Sequence, residues 1–291
     1  MSRRFLGFLL VGAFLSCSIP AWGQAPDVRI AGTLSTKPLL VDVVKVMKEK
    51  KGLQVALATG LTSQDALDAV ATGKVDIALI TKPLTGEDRA EYPSIELVTV
   101  PIGMEVVAIG VSNDLWNGGV NTITKAMMRD VYEQKVTNWQ AAGGPDEKIT
   151  MFNFQQGLGI WEIFAEWLYG DNRKAPLPKV DKVATSEDAR DSLEFTPGAV
   201  VPLAAPLADG TRCHALAIDL GEKIAKPTVE GVASGSYPLV RPITAVVVGR
   251  PALLTRTVTE FLTGPEGQAL LKKSGALGVE AVPKPKPNPY Y

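Results

Sequence analysis

Val75-Asp76-Ile77-Ala78-Leu79-Ile80 is an almost unbroken apolar run, interrupted by one carboxylate. A parallel strand buried on both faces requires such a run. Working back from it, Gln64 to Thr72 fits a short helix that Gly73 stops, and Leu53 to Ala58 reads as a strand. Pro38 suits the first turn of a helix whose Leu39, Leu40, Val43, Val44 and Met47 fall on one face, and Val28 to Ala31 is the strand before it. The order β-α-β-α-β predicts a doubly wound α/β sheet.

Working forward, Ile95 to Val100 and Glu105 to Val111 read as two strands separated by a turn at Pro101-Ile102-Gly103. A second α/β unit follows. Its predicted helices are Lys125 to Tyr132, about Ile160 to Tyr169, and Ser186 to Glu194, with strands at Ile149 to Phe152, Ala199 to Leu203 and Ala215 to Ile218. Tyr237 to Val248 resumes a long apolar strand, and Leu253 to Leu262 and Pro265 to Lys273 are helical. Residues 282–291 alternate Pro with polar side chains and are expected to be extended.

The whole chain has 291 residues, with 30 Lys and Arg against 31 Asp and Glu. Charge this close to balance leaves no basic footprint for nucleic acid. Gly and Pro are scattered, which excludes collagen-like repetition. Residues 1–23 read as a signal peptide: Arg3 and Arg4, an apolar stretch from Phe5 to Leu15, and a small-x-small site at Ala21-Trp22-Gly23. Export to the periplasm is expected. Phe14 and Leu15 fit poorly before Cys17 as a lipoprotein site, so that alternative ranks below simple cleavage.

Removal of residues 1–23 leaves 28 basic and 31 acidic side chains, a balance of −3, and Cys213 as the one thiol. The fold must then rest on its apolar core. An enzyme reading finds little support. His214 is the only His, which excludes a multi-His metal site, and a thiolate–imidazolium pair with Cys213 fails because neighbours on a strand point to opposite faces. Gly157-x-Gly159 lacks the third glycine of a dinucleotide loop, so no cofactor is expected. Trp116, Trp139 and Trp167 are expected in core or hinge packing.

Several segments in order resemble one known family. They are Ala31-Gly32-Thr33-Leu34-Ser35-Thr36-Lys37-Pro38; Gly73 to Ala78 with Lys82-Pro83-Leu84; and Ile123-Thr124 with Val131-Tyr132 and Lys135-Val136-Thr137-Asn138-Trp139. Ala215 to Asp219 with Val232 to Pro242, and Phe261-Leu262 with Glu266-Gly267-Gln268, complete the set. Together they are similar to the PstS-like phosphate-binding subunits of bacterial uptake transporters, a branch of the periplasmic solute-binding proteins. The resemblance implies two α/β lobes joined by two crossing strands, with ligand in the cleft and an inner-membrane ABC transporter or a sensor as partner. It divides the chain into a first lobe at 24–104 plus 234–281, a second at 105–233, and a Pro-rich tail at 282–291. A monomer is expected.

In such folds ligands sit beyond the carboxyl ends of strands, where helix N-termini present free N–H groups. The candidate ligand-facing residues are therefore Thr33, Ser35 and Thr36; Thr62 and Ser63; Thr81 and Lys82; and Asn153, Gln155, Gln156, Gly157, Leu158, Gly159 and Trp161. Thr36 and Ser63 serve equally well as helix caps. The fourth loop departs from the family. Where the relatives carry Arg-x-x-Gly-Ser-Gly-Thr, this chain has Phe154-Gln155-Gln156-Gly157-Leu158-Gly159-Ile160. Charged hydrogen bonds contribute roughly 1.5–3 kcal/mol each, so losing them predicts a weakened phosphate site. The expected ligand is then another oxyanion or a partly apolar molecule, against Phe154, Leu158, Ile160 and Trp161. Retained binding of phosphate, and a ligand-free interaction or signalling protein on the same scaffold, are the alternatives.

Overall fold

The structure, a computed structural model, describes residues 25–284. The expected signal peptide and the tail from residue 285 lie outside them. The first half alternates strand and helix: β1 (Val28–Thr33), α1 (Lys37–Lys51), β2 (Val55–Leu61), α2 (Ser63–Ala71), β3 (Ile77–Ile80), α3 (Gly86–Ala90) and β4 (Leu97–Val111). Then come α4 (Asn113–Asn117), β5 (Thr122–Thr124), α5 (Lys125–Tyr132), β6 (Thr150–Phe154), α6 (Gly159–Tyr169), β7 (Asp181–Val183), α7 (Ser186–Phe195) and β8 (Ala199–Ala204). The chain continues through β9 (His214–Ala215), β10 (Ala217–Asp219), β11 (Ile224–Ala225), α8 (Val229–Ala233), β12 (Val240–Val248), α9 (Leu253–Thr263) and α10 (Pro265–Lys273).

Nine strands form one mixed sheet, in the order β2-β1-β3-β12-β4-β8-β6-β7, with β9 added to β4. In the first lobe β1 lies parallel between β2 and β3, with Ile30 opposite Leu57 on one side and Ile77 on the other. Helices cover both faces. Leu39, Leu40, Val43 and Met47 of α1 pack with Val258, Leu262 and Leu271 on one side. Ala66, Leu67 and Val70 of α2 pack on the other, so this half of the sheet is doubly wound.

Two strands cross to the second lobe. β4 pairs antiparallel with β12 from Leu97 opposite Val248 to Val106 opposite Val240, and its far end pairs with β8 from Val107 to Val111. There β9 takes up the edge, with Ala215 opposite Gly110. β6 lies parallel between β8 and β7. A single large core joins both faces of this half, including Phe164, Leu168, Leu193, Val201 and the fully buried Trp139, whose Nε1 donates to the Gly198 carbonyl at 3.0 Å.

Two sequence expectations change. Pro101-Ile102-Gly103 does not turn: β4 runs through it as one strand, and the register against β12 slips between Ile243 and Thr244, leaving Ile102 as the extra residue of a bulge. Gly103 is required because a Cβ there would sit 2.3 Å from the Leu277 carbonyl oxygen, which lies against it through a bridge to Met104. The strand expected over Ala215 to Ile218 instead divides at Leu216. Ala215 belongs to β4's edge, whereas Ala217 to Asp219 pair with β5 and β11 in a small separate sheet.

Candidate functional site

The loops after β1, β2, β3 and β6 converge on the seam between the lobes, and two chambers open there. The first is polar, has a volume of about 360 Å³, and is bordered by Thr33, Ser35, Thr62, Ser63, Thr81 and Lys82 on one side, by Gly157, Gly159 and Glu162 on the other, and by Arg241 from crossing strand β12. The second, about 260 Å³, is mainly apolar, with Leu34, Leu39, Val106, Phe154, Leu158, Ile160 and Ile163 on its walls. Leu34, Ser35 and Gly159 border both.

Local chemistry shapes each loop. Thr36 stands at the N-cap of α1 without a side-chain cap bond; its hydroxyl donates back to the Thr33 carbonyl at 3.0 Å and closes the loop on itself. Thr33 Oγ1 lies 3.2 Å from Ser35 Oγ. Thr62 is a true N-cap: its hydroxyl accepts from the Asp65 N–H in a capping box. Ser63 Oγ accepts from the Thr81 N–H at 3.1 Å, which leaves its own proton available to a ligand.

The cations are already held by carboxylates. Lys82 Nζ donates to Asp88 Oδ1 at 2.5 Å and to Gln64 Oε1 at 3.1 Å. Arg241 projects from β12, and its Nε meets Glu105 at 2.6 Å while Nη1 meets Glu162 at 2.9 Å. Burial would lower the Arg241 pKa, but Glu105 and Glu162 outweigh it and hold the guanidinium charged. A Cβ on Gly159 would lie 2.6 Å from Arg241 Nη2 and 3.1 Å from the Ser35 Cβ, so the glycine lets the two sides of the seam meet.

Several expected ligand-facing residues lie elsewhere. Asn153 is fully buried; its Nδ2 donates to Tyr132 Oη at 3.3 Å and its Oδ1 accepts from the Phe154 N–H. Trp161 is 2% exposed and its Nε1 donates to the same hydroxyl at 3.3 Å, so it belongs to the second lobe's core and not to a ligand wall. Burial pushes the Tyr132 phenol up, which keeps it protonated to donate to the Pro176 carbonyl. Gln155 and Gln156 face a separate surface groove with Leu177, Pro178 and Lys182. Gly157 borders that groove and the polar chamber alike.

Conversely, Arg241, Glu105 and Glu162 were not among the expected site residues. One signal was available: Glu105 and Arg241 each break an apolar strand, and they stand directly opposite in the β4–β12 register. The guanidinium absent from the fourth loop thus has a counterpart reaching the cleft from the crossing strand. Cys213 packs in the core, where burial pushes its thiol up to about 11, and His214 stacks on Trp116 with ring centroids 4.5 Å apart. No cluster of metal-ligating side chains occurs among the described residues, nor is any described helix long and apolar enough to cross a membrane.

Residues 20–266 match the PBP superfamily domain. The chain belongs to the PBP superfamily. It is similar to the phosphate-binding protein PstS of Bacillus subtilis, at 26% identity over 214 residues, covering 73% of this chain and 67% of that protein. A PstS of Staphylococcus epidermidis RP62A is 23% identical over 68% of this chain and 62% of its own length. Among solved structures, an ABC-type phosphate transport receptor from Vibrio cholerae superposes with a TM-score of 0.67 at 22% identity, covering 86% of this chain and 99% of that one. PstS from Borrelia burgdorferi gives 0.66 at 18% identity, over 86% and 98%. At these identities the structures establish the shared two-lobed fold.

Proposed function

We propose that this PBP-superfamily chain is an exported, non-catalytic solute-binding protein that captures a small tetrahedral oxyanion of the phosphate class in the polar chamber. It would work in the periplasm as a monomer and deliver the anion to an inner-membrane ABC transporter. The lobes we assign to 24–104 with 234–281 and to 105–233 supply opposite walls of the cleft, so ligand contacts both only when it is closed. The observation that carries the reading is Arg241, which brings a guanidinium to a chamber whose other walls offer Ser35, Ser63 and Lys82. Arg is suited to bidentate contact with such anions. The names of the PstS relatives support the same class.

Isothermal titration calorimetry of the purified protein with phosphate, arsenate and sulfate tests this. Saturable one-to-one heat with phosphate is expected; absence of heat and of thermal stabilisation with all three overturns it. A second reading, a ligand-free envelope interaction protein, is favoured by one observation: Lys82 and Arg241 both have internal carboxylate partners. The same titration decides between them.

A further inference from the structure

We propose that the apolar chamber receives the hydrocarbon arm of a phosphate monoester whose charged head occupies the polar chamber. The inference rests on reading the cleft as an anion site and names the class of anion. Three observations lead to it.

The chambers are neighbours: Leu34, Ser35 and Gly159 border both, and the Glu105–Arg241 pair places its carboxylate on the apolar side and its guanidinium on the polar side. A head held by Arg241 therefore has an arm's route past Ser35 and Gly159. These two residues come from opposite sides of the seam, so a small hinge opening admits the arm and closing encloses it.

The second observation concerns the hydroxyls on the apolar walls, each of which already has a partner within the protein. Thr36 donates to the Thr33 carbonyl and Ser274 to the Leu271 carbonyl at 2.7 Å, so their protons are used; Thr185 and Ser186 accept from the Asp188 and Ala204 N–H groups, which leaves each one proton to offer. Glu105 is committed to Arg241. What the chamber presents to an occupant is then chiefly Leu34, Leu158 and Ile160, with the almost fully buried Val106 and Phe154 completing the apolar wall. A polar arm would regain few hydrogen bonds for the water it loses, a cost that a hydrocarbon arm does not carry.

Third, the volume suits a ring. An apolar cavity of about 150 Å³ accepts benzene, and this one measures about 260 Å³. Inorganic phosphate leaves it unfilled.

The experiment compares inorganic phosphate, phenyl phosphate and glycerol 3-phosphate by calorimetry on the wild-type protein and on Ala184→Phe. Ala184 borders the apolar chamber and is exposed, so a larger side chain there obstructs the chamber without invading the core. Burial of an aromatic ring predicts phenyl phosphate binding about tenfold to a hundredfold tighter than inorganic phosphate. Glycerol 3-phosphate should show no gain, and Ala184→Phe should abolish the phenyl advantage. Phenyl phosphate binding no tighter than phosphate overturns the inference while leaving the anion site standing. An advantage that survives in Ala184→Phe overturns the assignment to this chamber. Failure of all three ligands overturns the anion reading itself.

Discussion

Arg241 Nη1 and the Glu162 carboxylate are joined at 2.9 Å, and this bond ties crossing strand β12 to the first turn of α6. The same guanidinium reaches Glu105 on the neighbouring crossing strand at 2.6 Å, so one side chain fastens both crossings and a helix of the second lobe. Replacing it removes the only cation between two carboxylates in this trio. Arg241→Met should lower stability by about 3 kcal/mol, the low end for breaking a buried pair, because its side chain retains 20% exposure. Adding Glu162→Gln should recover part of that loss by removing one unpaired charge. Thermal denaturation of the single and double variants measures it, and recovery of nothing would show that packing, not charge, dominates. Phosphate heats should vanish in both.

Gly159 is a point of close approach across the seam. Its missing Cβ accommodates Arg241 Nη2 and Ser35. Because α6 begins here, Ala in place of Gly favours the helix by up to about 1 kcal/mol. At the seam, however, the added methyl must displace the guanidinium and press on Ser35, which offsets that gain. Gly159→Ala is therefore expected to leave the melting temperature of the unliganded protein within a few degrees of wild type while weakening ligand binding at least tenfold. Equal affinity in calorimetry would mean that the seam relaxes without cost.

The fold was legible in the sequence wherever one period persisted. Leu39, Leu40, Val43 and Met47 of the α1 stripe and Ile77 to Ile80 of the apolar run are buried as expected, while Val44 and Val75 are half-buried. Pro101 misled because a proline in a strand reads as a break, whereas a bulge accommodates it within the sheet. The site was legible in part. The hydroxyl loops are local in sequence, and Thr33, Ser35, Ser63 and Lys82 do border the polar chamber. Trp161 follows the same loop but turns inward, since two residues along a helix rotate a side chain by about 200° from Gly159, whereas Asn153 precedes the loop on β6 and shares the buried side of that strand with Met151. Arg241 was hidden for the opposite reason: it lies 79 residues from Glu162, and only tertiary pairing brings them together.

That inward turn yields its own test. Trp161 and Asn153 both donate to Tyr132 Oη from within the core. Trp161→Phe removes one donor and leaves a smaller ring, with an expected loss of about 1–3 kcal/mol. Ligand affinity should stay within about threefold of wild type, because the indole does not border either chamber. A large loss of affinity with unchanged stability would return Trp161 to the ligand wall.

Asp88 gives the pH dependence. Burial alone would raise its pKa, yet the hydrogen bond from Lys82, the Thr85 N–H and the Thr85 hydroxyl outweigh burial and hold the carboxyl below its ordinary 3.8. A carboxyl depressed in the folded state contributes stability that is present above the ordinary aspartate value and is lost as pH falls through the folded value. Asp88→Asn removes the charge-assisted bond to Lys82 and should cost about 1–3 kcal/mol at pH 7. Wild type should then lose its advantage progressively below about pH 4, so that the two denaturation curves converge in acid. Because Lys82 borders the polar chamber, releasing it from Asp88 should also let it turn to an anion. Phosphate affinity in Asp88→Asn is thus expected to rise while stability falls, and a parallel fall in both would show that the pair positions Lys82 and does not merely neutralise it.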